Sequence, residues 1–250
     1  MGLPNYPEKY GSGSVVTPEA LCDHFDPDRT PVPERIVLSY QRELLERVVD
    51  EYEVAPVNTT WTDCYLLEGT GGKVGIVGDF GFGAPQAALV MEDLIVRGGC
   101  EFVSVGLAGS LQPETRIGDL VVVERALRDE GTSHHYLPSE RYVAATESLT
   151  ERLANACAWA DEPHHRGDTW TTDAIFRETA PEIAAYHEEG IVTVDMEAAA
   201  TFAVAEYRGV AAGALFTISD HLEPEGWEPQ FVEADDDLLR AFDRAVDALK

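Results

Sequence analysis

The stretch that most constrains this chain is Gly190 to Arg208, which reads G-I-V-T-V-D-M-E-A-A-A-T-F-A-V-A-E-Y-R. Ile191 to Val194 is apolar and β-branched at nearly every position, the pattern of a buried strand. Met196 to Tyr207 is rich in alanine and apolar around most of its circumference, which predicts a helix with little exposed surface. Glu197 then stands where a central strand hands over to a buried helix, the sheet edge at which α/β proteins place their ligands. Close to the positive end of the helix dipole, its carboxylate is expected to stay ionised. An ionised carboxylate accepts the two hydrogen bonds that a vicinal diol offers. A plainer role also fits, in which Asp195 and Glu197 only complement the helix N-terminus.

A chain of 250 residues with 44% hydrophobic content can bury the core of a single α/β domain. No apolar run is long enough to span a membrane, and no charged-then-apolar leader opens the sequence. A cytoplasmic protein without a membrane partner is therefore expected. Cys22, Cys64, Cys100 and Cys157 show no CxxC spacing, so free thiols are expected, with neither a metal nor a cofactor. The 46 acidic against 18 basic residues give a formal net charge of −28, spread along the whole chain. Such a self-repelling surface suits an environment in which salt screens it, so adaptation to high salt is expected. Nucleic acid is disfavoured as a partner because no basic stripe is present to neutralise phosphates.

Residues 1–33 are dense in proline, glycine and charge, with one helical candidate at Pro18 to His24. They read as an N-terminal arm that packs on something else, such as a second subunit. Residues 34–250 form the domain proper. Arg35 to Tyr40 predicts a strand, Arg42 to Tyr52 an amphipathic helix, and Thr62 to Glu68 with Lys73 to Asp79 a hairpin about G-T-G-G. Gly81-Phe82-Gly83-Ala84-Pro85 precedes a helix from Gln86 to Arg97, and Phe102 to Gly106 enters a strand closing in Gly106-Leu107-Ala108-Gly109. Two glycine turns at the ends of successive strands point to a shared ligand crevice. Asp119 to Ala126 is a further strand. The polar loop Arg128 to Tyr136 carries His134 and His135, which as neighbours face apart and do not suit one metal ion; it reads as lining a pocket or as a solvated turn. Thr146 to Ala160 reads as a helix, Gly167 to Thr172 as a strand and Pro181 to Glu188 as a short helix. Ala211 to Ser219 is a buried strand ending in Asp220-His221, where burial would favour the neutral acid, and Glu233 to Leu249 is an acidic helix.

Several of these pieces, in this order, resemble the nucleoside phosphorylase family of the uridine phosphorylase and hexameric purine nucleoside phosphorylase type. The motifs that carry the resemblance are V-D-M-E-A-A-A at Val194, G-x-G-x-P at Gly81, G-D-L-V-V at Gly118, R-D-E-G-T-S-H-H-Y at Arg128 and S-D-H at Ser219. The resemblance implies one α/β domain around a mixed β-sheet bent toward a barrel and flanked by helices. It also implies homo-oligomers, dimer-built and up to a hexamer, in which one subunit lends residues to its neighbour's site. Its ligands would be a small-molecule nucleoside and inorganic phosphate. By this likeness Glu197 holds the ribose hydroxyls, Met196 packs on the sugar and Asp220 protonates the base. Thr172, Phe176 and Arg177 fall in the segment that recognises the base, with Arg177 donating to a base carbonyl as a further catalytic group. Arg42, Gly83 and Gly106 would hold phosphate.

The phosphate motifs depart from the family pattern. Gly-Asp-Pro-x-Arg becomes Leu38-Ser39-Tyr40-Gln41-Arg42, which keeps only the arginine, and Arg-x-Gly-Thr-x-Gly becomes Ser104 to Gly109 with Leu107 in place of the threonine. An arginine that uridine phosphorylases carry just before Thr-Thr-Trp is absent near Thr59-Thr60-Trp61, where Pro56 stands. Each charge-assisted hydrogen bond lost to a dianion costs roughly 1.5 to 3 kcal/mol. The expected activity is phosphorolysis of uridine or a purine nucleoside. Two alternatives stay open: a nucleosidase that uses water, with Glu43 as a base, and a catalytically silent nucleoside binder.

Overall fold

In the computed structural model, which describes residues 6–231 and 235–250, the apolar runs become strands of one 11-stranded sheet. In chain order the elements are α1 (Pro18–Phe25), β1 (Arg35–Ser39), α2 (Arg42–Glu51), β2 (Val54–Val57), β3 (Asp63–Leu67), β4 (Val74–Gly78), α3 (Ala84–Val96), β5 (Glu101–Ser110) and β6 (Leu120–Asp129). There follow α4 (Ser133–Tyr136), β7 (Tyr142–Ala144), α5 (Glu147–Trp159), β8 (His164–Thr172), α6 (Ala180–Glu189), β9 (Thr193–Asp195), α7 (Ala198–Arg208), β10 (Ala211–Glu223), β11 (Gly226–Pro229) and α8 (Asp235–Leu249). No helix among the described residues is long and apolar enough to cross a membrane.

The long strand β10 decides the topology. It pairs parallel with β5 along one edge and antiparallel with β6 along the other. With β6 beside β8, β8 beside β9 and β9 back on β5, the five strands β5, β10, β6, β8 and β9 close into a barrel. The bend expected of the sheet is thus a complete ring, and β1, β4, β3 and β2 extend it on the β5 side. Helices cover both faces. Met91, Leu94, Phe202 and Val204 of α3 and α7 share one apolar cluster with sheet residues such as Ile36 and Phe216, while α2, α5 and α8 build a second with Leu44, Leu149, Leu153 and Phe242. In α8 the buried Leu238, Ala241, Phe242, Ala245, Val246 and Leu249 fall at helical spacing, with Asp236 and Asp247 exposed on the opposite side. Glu233, the start expected for this helix, lies outside the described residues.

The β3–β4 hairpin forms as expected. Several strands run further than expected because a partner strand extends the pairing, among them β6, which continues to Asp129, and β8, which begins at His164. Gly106 to Gly109 is no turn but the second half of β5, held against Phe216 to Asp220 of β10. Gly109 gives Leu222 room to pack, since a Cβ there would lie 2.3 Å from Leu222 Cδ1 and the leucine would have to shift. β10 continues past Ser219 to Glu223 because β11 folds back on it. β2, unforeseen, adds an edge to β3. All four cysteines are free, with Cys100 the exposed one.

The N-terminal arm docks on its own chain. Its anchor is the fully buried Arg97 side chain at the end of α3, which donates to Asp93 Oδ2 at 2.8 Å, Asp26 Oδ2 at 2.7 Å and Thr60 Oγ1 at 2.8 Å. Phe25 of α1 meets Trp61 edge to face at 5.4 Å. Removing the guanidinium leaves Asp93 buried without its counter-ion. Arg97→Ala is expected to cost about 3 to 5 kcal/mol of stability, read as a lower urea midpoint, and to expose residues 12–30 to protease.

Candidate active site

The site grows from the corner between β9 and α7, where Asp195 ends the strand and Ala198 opens the helix. The Asp195 carboxyl accepts from Thr169 Oγ1 at 3.1 Å and Thr171 Oγ1 at 2.8 Å on β8, and from the backbone N–H groups of Glu197 at 2.8 Å and Ala198 at 2.6 Å. Asp195 is therefore the carboxylate that meets the helix dipole. Glu197 leans the other way and accepts from the Gly83 N–H at 2.5 Å. Gly83 has φ 101°, a conformation that side chains rarely adopt, in a loop that also holds Asp79 and Gly81 at positive φ. Burial, and then the charge of Asp195, push the Glu197 carboxyl up to about 8. The expectation of an ionised Glu197 is corrected on that ground: burial first, and the charge of Asp195 second, make its carboxyl hold a proton more tightly than an ordinary glutamate does.

Asp220 is buried in β10 beside a register shift that follows Ile218. Its Oδ1 accepts from Ser219 Oγ at 2.6 Å and its Oδ2 from Trp227 Nε1 at 2.7 Å, across the hairpin to β11. Glu197 and Asp220 line one cavity of about 720 Å³, together with Met196, Tyr40, Phe216 and Trp227. Phe176 is at its rim and 97% exposed. Every charged residue lining this cavity is acidic, among the described residues: Glu178, Asp195, Glu197, Asp220, Glu223 and Glu225.

Several residues singled out from sequence lie outside this cavity. Arg177 is exposed on the 3-10 turn Ile175–Arg177, and Thr172 is buried at the end of β8, where its Oγ1 accepts from Ala174 N at 3.2 Å. Arg42 is exposed on the first turn of α2 and paired with Glu46 at 2.9 Å, and Glu43 beside it is exposed too. Gly106 lies inside β5, the space over it filled by Tyr40 and Gln41, and Gly83 spends its amide on Glu197. The loop after β6 is occupied with itself: Arg128 bonds Ser133 Oγ and the Leu137 and Pro138 carbonyls, and the His134 ring bonds the Arg128 carbonyl at 3.1 Å. His135 pairs with Lys9 and lines a separate cavity of about 450 Å³ between the arm, α3 and α7.

Four cavity residues escaped the sequence reading: Tyr40, Gln41, Glu178 and Trp227. Tyr40 donates or accepts a 2.9 Å bond with Ser104 Oγ, the serine that replaces a family arginine. The Gln41 Oε1 acceptor is buried without a partner. Both follow β1 at the same sheet edge as Glu197, a signal available in the sequence. Trp227 follows the Pro224-Glu225-Gly226 turn, which marks a hairpin once β10 is allowed to run on.

The profile of the phosphorylase superfamily matches residues 35–249. Over 144 residues, 57% of this chain and 59% of the relative, the sequence is 35% identical to a guanosine phosphorylase of Halorubrum lacusprofundi. It is 29% identical to a uridine phosphorylase of Thermococcus kodakarensis over 55% of this chain and 54% of the relative. The chain thus spans little more than half the length of these two relatives. In structure it superposes on uridine phosphorylase from Vibrio fischeri with a TM-score of 0.74 and 21% identity, over 90% of this chain and 97% of that one, which establishes the shared fold.

The position of Glu197 generates a stability test. Its carboxyl is raised from an ordinary 4.5 to about 8, so between those values the unfolded chain has released a proton that the folded one retains. Stability of the wild type relative to Glu197→Gln is expected to be greatest at and below pH 4.5, to fall by on the order of a few kcal/mol as the pH rises to about 8, and to stay level beyond. Urea denaturation of the pair across that range reads it.

Proposed function

The chain belongs to the phosphorylase superfamily, and from that membership we propose that it cleaves the N-glycosidic bond of a ribonucleoside with inorganic phosphate, giving free base and ribose 1-phosphate. The observation that carries this reading is one cavity lined by both Glu197 and Asp220, with Met196 between the strand and helix beside them. Breaking the C1′–N bond moves its electron pair to the base and leaves positive charge on the sugar. Glu197 faces the ribose hydroxyls and accepts their hydrogen bonds as that positive charge grows on the sugar. Asp220 gives a proton to the departing base; the Ser219 hydroxyl and the Trp227 N–H, both aimed at its oxygens, stabilise the carboxylate left behind. Tyr40, Ser104 and Gln41 stand at the phosphate end.

Arg42 supplies the cation for phosphate in this reading. Its pairing with Glu46 is exposed to solvent and weak, so the guanidinium is readily exchanged to a dianion. Exposed apolar side chains at the cavity mouth, Phe82, Phe176, Trp227 and Phe231, suit a homo-oligomer in which a second subunit closes the site. A cytoplasmic, salt-adapted enzyme fits the acidic surface. One observation favours hydrolysis instead: no basic side chain lines the cavity among the described residues, and the unpartnered Gln41 Oε1 can orient a water.

A product assay over a panel of nucleosides in high salt separates these. Turnover is expected to rise with phosphate concentration and to yield ribose 1-phosphate; free ribose released at the same rate without phosphate would transfer the reaction to water. Glu197→Ala is expected to lower kcat/KM by about 100-fold or more, and Arg42→Ala to raise the KM for phosphate by roughly ten-fold or more.

A further inference from the structure

Among the cavity carboxyl groups that are buried or half-buried, Glu178 is the one left without a hydrogen-bonding partner among the described residues; Glu223 and Glu225 are exposed to water. Asp195 has four donors, Glu197 has the Gly83 amide, and Asp220 has Ser219 and Trp227. Glu178 ends the 3-10 turn Ile175–Arg177, is half-buried, lines the same cavity, and makes no hydrogen bond or ion pair among the described residues. It lies within electrostatic reach of Asp220 and Glu182, and burial together with those two charges pushes it up to about 7. A half-buried acid with acidic neighbours and no donor of its own is the kind of group that a ligand satisfies.

The chemistry of that ligand follows from what the wall offers. An ionised carboxylate is acceptor-only, with two oxygens that take two parallel donors at once. The other charges on the wall are negative as well, so carbonyl-rich edges are unwelcome. Among the common bases, uracil shows one N–H between two carbonyls, adenine one donor beside an acceptor nitrogen, and hypoxanthine a single N–H on its pyrimidine edge. Guanine shows the N1–H and an amino N–H side by side. The apolar Ile175, Phe176 and Leu222 supply faces for a flat ring.

Resting on the reading of this cavity as a nucleoside site, we propose that Glu178 is its base-reading residue, taking the paired N–H donors on the edge of a 2-amino-6-oxopurine while Asp220 addresses the imidazole side. Arg177, next in sequence, is displaced to the surface by the same turn.

Equilibrium binding of guanosine, inosine, adenosine and uridine to the wild type and to Glu178→Gln, at pH 8 without phosphate, tests this. The wild type is expected to bind guanosine at least ten-fold more tightly than the other three, by the worth of one charge-assisted bond. In Glu178→Gln guanosine is expected to lose about 10- to 100-fold, while adenosine gains, because an amide presents the donor and acceptor that adenine's edge matches. That gain cannot come from a misfolded variant. An unchanged ratio of guanosine to adenosine affinity in the variant, or a wild type that prefers uridine or adenosine, would overturn the inference. Guanosine-selective binding without bond cleavage would overturn only phosphorolysis, and a wild type that binds none of the four overturns both.

Discussion

Four hydrogen bonds converge on the side chain of Asp195, and the rest of the site depends on them. Two come from hydroxyls of β8 and two from the amides that open α7, so a single carboxylate fastens the barrel wall to the helix that crosses behind it. Once that place is taken, Glu197 has no share in the dipole and turns to the Gly83 amide, which belongs to the loop before α3. Burial, reinforced by the charge of Asp195, raises the Glu197 carboxyl. The glycine loop, read from sequence as open to an outside ligand, is recruited to hold the Glu197 carboxyl of the chain itself.

The electrostatics of the cavity follow the same economy of cations. The protein carries few basic residues, and those that are buried are committed: Arg97 to the arm, Arg128 to its own loop, and Arg208, less deeply, to Glu92. None lines the cavity among the described residues. A wall of carboxyl groups repels hydrogen-bond acceptors and favours donors.

Much of the fold was legible because local pattern and tertiary role agree. The β-branched run before Asp195 and the alanine run after it specify a buried strand and a buried helix without outside help, and the spacing in α8 gives its inner face directly. What stayed illegible depended on non-local pairing. Gly106 and Gly109 look like turn residues until β10 is laid beside them, and Trp227 has no visible role until β11 folds back onto Asp220. Arg177 and Glu178 differ by one position on a tight turn, and no periodicity in the sequence says which of the two faces inward. Arg42 was reached through family likeness and sits on the surface, whereas Asp220, already marked by its place at the end of an apolar strand, lies within the cavity.

The closed ring bears on how the chain reaches its native state. The contacts that shut it join Glu101–Ser110 to Ala211–Glu223, about a hundred residues apart, whereas β3 and β4 are neighbours in sequence. Pairings of such long separation form late and slowly. During synthesis β5 and β6 wait with open edges until β10 emerges, and such edges invite pairing with other chains. In this protein the waiting strands belong to a chain of strong net negative charge, whose mutual repulsion keeps unfinished copies apart until the last barrel strand arrives.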